Sequence, residues 1–146
     1  MVRSLADYDV GTTVTTRGVT VTETHLVNWA TLTGDWLPLH MDEEYASSTQ
    51  FGGRLVHGPL TLALALGLST QSGLFDPESA IAWLGLDEVR ATNPVRPGDT
   101  IRVDVEIVEA RPSRTPGQGV LRLEYRVRNQ RDEQVLSFVN ALLIKA

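Results

Sequence analysis

Asp35 and His40 stand five residues apart in the stretch Thr33–Ala46, TGDWLPLHMDEEYA, with Pro38 between them. A carboxylate beside an imidazole is a minimal set of groups for holding a water and taking a proton from it near neutral pH. Proline disfavours the helical region for the residue before it, so Leu37 is biased away from helix. The stretch therefore reads as an extended loop rather than a helical turn, and both side chains can point into one cavity. A plainer reading is local: Asp35 caps the next segment and His40 satisfies a loop carbonyl. A second cluster is Phe51–Leu60, FGGRLVHGPL. There His57 and Gly58 open an apolar segment. Backbone N–H groups at a helix start carry partial positive charge and can hold a developing oxyanion, and Gly58 leaves room for close approach. Pro59 has no N–H, so only its neighbours donate. The plainer reading is an ordinary glycine–proline helix start with His57 packed and hydrogen-bonded.

Other chemistries find less support. His40, Asp42 and Glu43 with His25 or His57 supply nitrogen and oxygen, but no HExxH or comparable spacing is present, and the expectation is no metal. There is no cysteine, which excludes disulfides, thiolate nucleophiles, cysteine zinc sites and iron–sulfur clusters. Walker A, GxGxxG and GxSxG motifs are absent. The arginines of Gly119–Arg131 alternate with apolar residues, as on the solvated face of a strand. Trp29, Trp36 and Trp83 are core aromatics or pocket walls.

The elements that must position these clusters are legible in the hydrophobic pattern. Asp99–Glu109 alternates, with Ile101, Val103, Val105 and Ile107 on one face and Arg102, Asp104 and Glu106 on the other. Gly119–Asn129 does the same with Leu121, Leu123, Tyr125 and Val127. Both are half-buried strands, and the turn-rich link Arg111–Gln118 is too short for a crossover, which predicts an antiparallel hairpin. Glu133–Lys145 is a third strand, apolar on both faces and so buried on both sides or lying at a subunit contact. Ala80–Ala91 is a weaker fourth, and Asn93–Asp99, NPVRPGD, is a turn. In the first half, Thr12–Thr20 reads as one or two strands, Thr22 starts a helix that stops at Gly34, and Asp42–Ser48 is a short helix. His57–Ser69 has leucines at every second position, nominally a strand. Intervening alanines, Pro59 at the first turn and the closing glycines instead make it a buried helix.

The 146 residues, 42% hydrophobic and 21% charged, fit one globular domain spanning 1–146. A net charge of −5 argues against non-specific nucleic-acid binding. Met1–Gly11 has no apolar core after Arg3, and the longest apolar run, Pro59–Leu68, is about half the length a membrane span needs. The expectation is a cytoplasmic protein with neither nucleic acid nor membrane as partner. Together the elements predict an α+β protein, an antiparallel sheet whose inner face covers one apolar helix.

At the two clusters the sequence resembles the MaoC-like dehydratases, or (R)-specific enoyl-CoA hydratases, of the hotdog fold. Their Gly-Asp-x-Asn-Pro-Leu/Ile-His motif is matched by Gly34, Asp35, Pro38, Leu39 and His40, with Asp42-Glu43-Glu44-Tyr45-Ala46 following. The block before the central helix is matched by Phe51, Leu55, Val56, His57 and Gly58, and the Pro-x-x-Pro-Gly-Asp corner by Pro94, Pro97, Gly98 and Asp99. The resemblance implies a sheet wrapped around a long helix from His57 to about Gly73. It implies that Asp35 and His40 hold the water added across C2–C3 of an enoyl thioester, or removed from a 3-hydroxyacyl thioester. The helix start at His57 and Gly58 then binds the thioester oxygen. No metal or redox cofactor is implied; coenzyme A or a carrier-protein phosphopantetheine is part of the substrate. A hotdog thioesterase would want a carboxylate on the central helix, where His57–Ser69 has none, and a non-catalytic acyl-binding or partner subunit would not need Asp35 and His40. Two positions depart from the family: Leu37 replaces an asparagine and Leu66 a serine found in some members. With Trp36 they are candidates for the pocket wall, and they imply a preference for bulky or longer apolar acyl groups. The doubly apolar strand Glu133–Lys145 implies a homodimer.

Overall fold

The computed structural model describes residues 2–146. After a 3-10 turn at Leu5–Asp7, the chain forms β1 (Thr13–Thr15), β2 (Val19–Thr20), α1 (Glu23–Thr33), α2 (Pro38–Met41), α3 (Glu43–Ser47) and α4 (Gly58–Thr70). Four long strands follow: β3 (Ala80–Ala91), β4 (Thr100–Pro112), β5 (Gln118–Arg128) and β6 (Gln134–Lys145). The sheet runs β1-β4-β5-β6-β3 with β2 also on β4, and every pairing is antiparallel. This is the α+β hotdog arrangement.

Alternation decides which face turns inward. On β4, Ile101, Val103, Val105 and Ile107 are buried, and on β5 Leu121, Leu123, Tyr125 and Val127 are buried, all in one core cluster with Leu60, Ala65 and Leu68 of α4. The small buried residues Thr61 and Ala65 face this core, whereas Gly67 is exposed. The opposite face of the sheet carries ion pairs, Arg126 with Glu106 and Glu124, and Arg128 with Asp104, which keep that face hydrated.

The sequence reading is met by the hairpin β4–β5, by α1 between Thr22 and a left-handed Gly34 (φ 81°), and by α3 capped by the Asp42 carboxylate. Two expectations are corrected. The Asp35–His40 stretch is extended only as far as Leu37 (φ −52°, ψ 132°), because Pro38 then starts the helical turn α2, which carries His40. The central helix ends at Thr70, short of Gly73. Leu136, Phe138, Leu142 and Ile144 of β6 join the core, and β6 lies between β5 and β3. Both edges of β6 are thus paired within the chain, Val139 and Leu143 on its other face stay half-buried, and β3 is a free edge of the sheet.

Candidate active site

Three local features bring the two sequence clusters together. Gly34 accepts the positive φ that ends α1, and its N–H bonds the Ala30 carbonyl at 2.8 Å. The chain therefore turns sharply just before Asp35. Pro38 supplies the first turn of α2 and so aims His40. The Leu55 N–H bonds the Leu39 carbonyl at 3.2 Å and the Val56 N–H the Val95 carbonyl at 2.8 Å, which clamps the segment before α4 between α2 and the β3–β4 connection. That connection is held by buried Asp99, whose carboxylate accepts from the Arg96 N–H at 2.9 Å and from Gln130 Nε2 at 2.7 Å.

The result places one atom each from Asp35, His40 and His57 within 4.8 Å of one another. His40 Nδ1–H donates to the Leu55 carbonyl at 2.7 Å. A carbonyl only accepts, so Nδ1 carries the proton and the neutral ring keeps its lone pair on Nε2. The plainer reading of His40 as a partner of a loop carbonyl is thus met on one nitrogen, and that bond sets the other nitrogen up as a base. Asp35 Oδ1 accepts only a long bond, 3.4 Å, from the Leu37 N–H. His57 Nε2–H donates to the Asp35 carbonyl at 3.1 Å, and its ring lies against that of His40, tilted, with centroids 4.2 Å apart. Burial pushes the pKa of His57 down; the bond to the Asp35 carbonyl opposes this, and His40 adds to it.

His40 and Gly58 share a cavity of about 340 Å³, walled by Phe51, Leu55, Thr61, Val95, Val135 and Leu136 among others. No protein atom lies within 4 Å of where a Cβ on Gly58 would sit, so the space beside this first helical residue is open. Asp35 lies beside His40 but is not among the residues lining this cavity, and the other expected site residues lie elsewhere. His57 is 0% exposed and its N–H is taken, so it is not free to touch a substrate. Trp36 and Leu37 are 54% and 59% exposed and are not among the residues lining the cavity. Leu66, two helical turns beyond Gly58, lines a second cavity of about 270 Å³ with Phe75, Trp83, Tyr125 and Leu142. Of the residues weighed as metal ligands, His25 bonds Thr22, Asp42 caps α3 and Glu43 pairs with Arg54, whereas His40 and His57 lie together with Asp35.

Sequence reasoning missed the Leu55 and Asp35 carbonyls as orienting groups, since main-chain roles leave no side-chain signature. It also missed a buried network in which the Ser69 and Tyr125 hydroxyls lie 2.9 Å apart, Asn140 Nδ2 donates to Tyr125, and Trp83 Nε1 donates to Asn140 Oδ1 at 2.9 Å. Asn140, polar within the apolar run of β6, was its only trace.

Residues 7–128 match the family described as MaoC like domain. The monoamine oxidase regulatory protein of Archaeoglobus fulgius superposes with a TM-score of 0.93 at 36% identity, covering 99% of this chain and 95% of that one. The unliganded R-hydratase of Pseudomonas aeruginosa gives 0.80 at 30% identity, covering 97% and 85%. The 3-hydroxybutyryl-CoA dehydratase of Methylorubrum extorquens is 33% identical over 94 residues, 64% of this chain. The chain spans 24%, 57% and 60% of the length of three curated relatives and 98% of a fourth.

Proposed function

The chain belongs to the MaoC-like domain family, and on that footing we propose that it is a hydro-lyase acting on enoyl and 3-hydroxyacyl thioesters, adding or removing water across C2–C3 with (R) stereochemistry. The observation that carries the reading is that His40, its Nε2 left free by the bond from Nδ1 to Leu55, lines one cavity with the open backbone of Gly58 and has Asp35 close beside it.

Each part has a task. Asp35 orients the water and His40 Nε2 takes its proton. Attack of the water oxygen at C3 moves the C2–C3 π electrons onto the thioester oxygen, which the Gly58 N–H stabilises as charge develops there. Collapse of that enolate protonates C2 with the proton His40 removed. Both H and OH then come from one water, and the side chains end as they began. The reaction as written calls on no metal or redox group; coenzyme A or phosphopantetheine is the handle of the substrate. The largely apolar wall suits an apolar acyl group.

The test is a panel of trans-2-enoyl thioesters of increasing chain length, on coenzyme A and on a carrier protein, followed by loss of enoyl absorbance. Thiol release is measured in parallel and product configuration on a chiral column. Hydration to the (R) product without thiol release is expected. Thiol release without hydration would replace this reading with a thioesterase, and binding without either reaction with an acyl-binding subunit.

A further inference from the structure

His57 is a buried histidine that the chemistry above leaves unused. It precedes the first residue of α4 and is 0% exposed. Its Nε2–H donates to the Asp35 carbonyl at 3.1 Å, its face lies against His40 with planes tilted by 31°, and its Nδ1 is buried with no hydrogen-bond partner among the described residues. An oxyanion donor needs a free N–H, and this one is engaged. A proton shuttle needs a nitrogen that reaches the cavity, and Nδ1 is sealed off. What the ring does touch is the backbone of one member of the dyad and the ring of the other.

We propose that His57 is a positioning residue that fixes Asp35 and His40 relative to each other, by one hydrogen bond to the Asp35 backbone and one ring face against His40. The kinetic part of this inference rests on the hydratase reading; the structural part does not. The hydrogen bond sets where the chain leaves Gly34, and hence where the Asp35 carboxylate lies. The adjacent ring, with the Leu55 carbonyl, leaves His40 little freedom to rotate. Such a ring must stay uncharged, because a cation 4.2 Å from His40 would oppose the proton that His40 has to accept. The titratable groups facing it are Asp35 and His40, and its burial keeps it neutral.

Two variants of the full chain separate the contacts. His57→Gln retains an amide N–H near the place of Nε2, whereas His57→Phe retains a flat ring and no donor. We expect His57→Phe to lower kcat by about 10²-fold with little change in KM, the scale of a misplacement of about 1 Å. His57→Gln should restore most of that loss. Independently of activity, long-range proton–nitrogen NMR of the parent should show the His57 ring as the Nε2–H tautomer with its pKa below the ordinary 6.5, and that signal missing from both variants. A ring at position 57 with its pKa above 6.5, or in the Nδ1–H tautomer, overturns the proposal. So does a folded His57→Phe protein with parental kcat, or a folded His57→Gln protein as impaired as His57→Phe. If the parent hydrates no thioester in the panel, the functional reading fails and the spectra alone judge the positioning; they also decide if His57→Phe does not fold.

Discussion

A histidine accepts a proton from water only when it is neutral and its free nitrogen faces that water, and the Leu55 carbonyl enforces the second condition on His40. Asp35→Asn and His40→Ala should each lower kcat by roughly 10²–10⁴-fold. The double variant should be little worse than the worse single one, since both groups act on one water. Circular dichroism should be unchanged, and near-parental hydration by either folded variant would remove the dyad from the reaction. Gly58→Ala tests the helix start. A methyl there meets no protein atom within 4 Å, so the thermal midpoint should hold. The methyl occupies the space beside the N–H, so kcat should approach the loss of about 10²-fold seen when one oxyanion donor is removed. His57 adds a pH dependence of stability. Burial holds its folded pKa below the ordinary 6.5, so in acid the unfolded chain binds a proton that the folded chain does not. Stability from this source is therefore full above about pH 6.5 and falls as the pH drops below it. Urea midpoints at pH 7.5 and 5.5 should differ more for the parent than for His57→Gln; equal differences would contradict a buried neutral ring.

Among the elements, α1 and α4 each owe their place to a backbone device. Gly34 adopts a left-handed conformation with open space around it, so Gly34→Ala isolates the conformational cost. It should destabilise the fold by about 1–2 kcal/mol in urea unfolding and lower kcat through displacement of Asp35. Gly34→Asn should lose less, because asparagine tolerates this conformation better. Legibility in the sequence followed the strength of local signals. Strands β4 and β5 have one wet and one dry face and were read correctly. Helix α4, with leucine at every second position, was legible only through Pro59 and its alanines, because a helix apolar nearly all round has no periodicity of its own. The turn α2 was missed, since proline restricts the residue before it and says less about the residues after it.

For the molecule as a whole, the expectation of a homodimer stands on a different strand from the one that first suggested it. The free edge β3 pairs only with β6 and exposes Ile81 (43%), Trp83 (63%) and Leu84 (52%). An unpaired apolar edge of this kind invites a second copy around a twofold axis. Light scattering should give about twice the chain mass of 16.0 kDa, and Ile81→Lys with Leu84→Lys should return it to the monomer. A monomeric parent at micromolar concentration would overturn this. Among the described residues no helix is long and apolar enough to cross a membrane.

The sequence by itself determined what depends on neighbours along the chain: strand faces, helix caps, the Pro-Gly-Asp corner, and the presence of Asp35, His40 and Gly58 in two short clusters. These follow from backbone geometry and side-chain period, which act over a few residues. Only the tertiary structure decided which nitrogen of His40 is free, since the carbonyl that settles it lies fifteen residues away, and that His57 spends its N–H on Asp35 twenty-two residues back. It also decided that Leu66 lines a different cavity from His40, and that Trp36 and Leu37 face outward. Hydrogen bonds and cavities between distant segments are set by how the sheet closes on α4, and no local pattern encodes that distance.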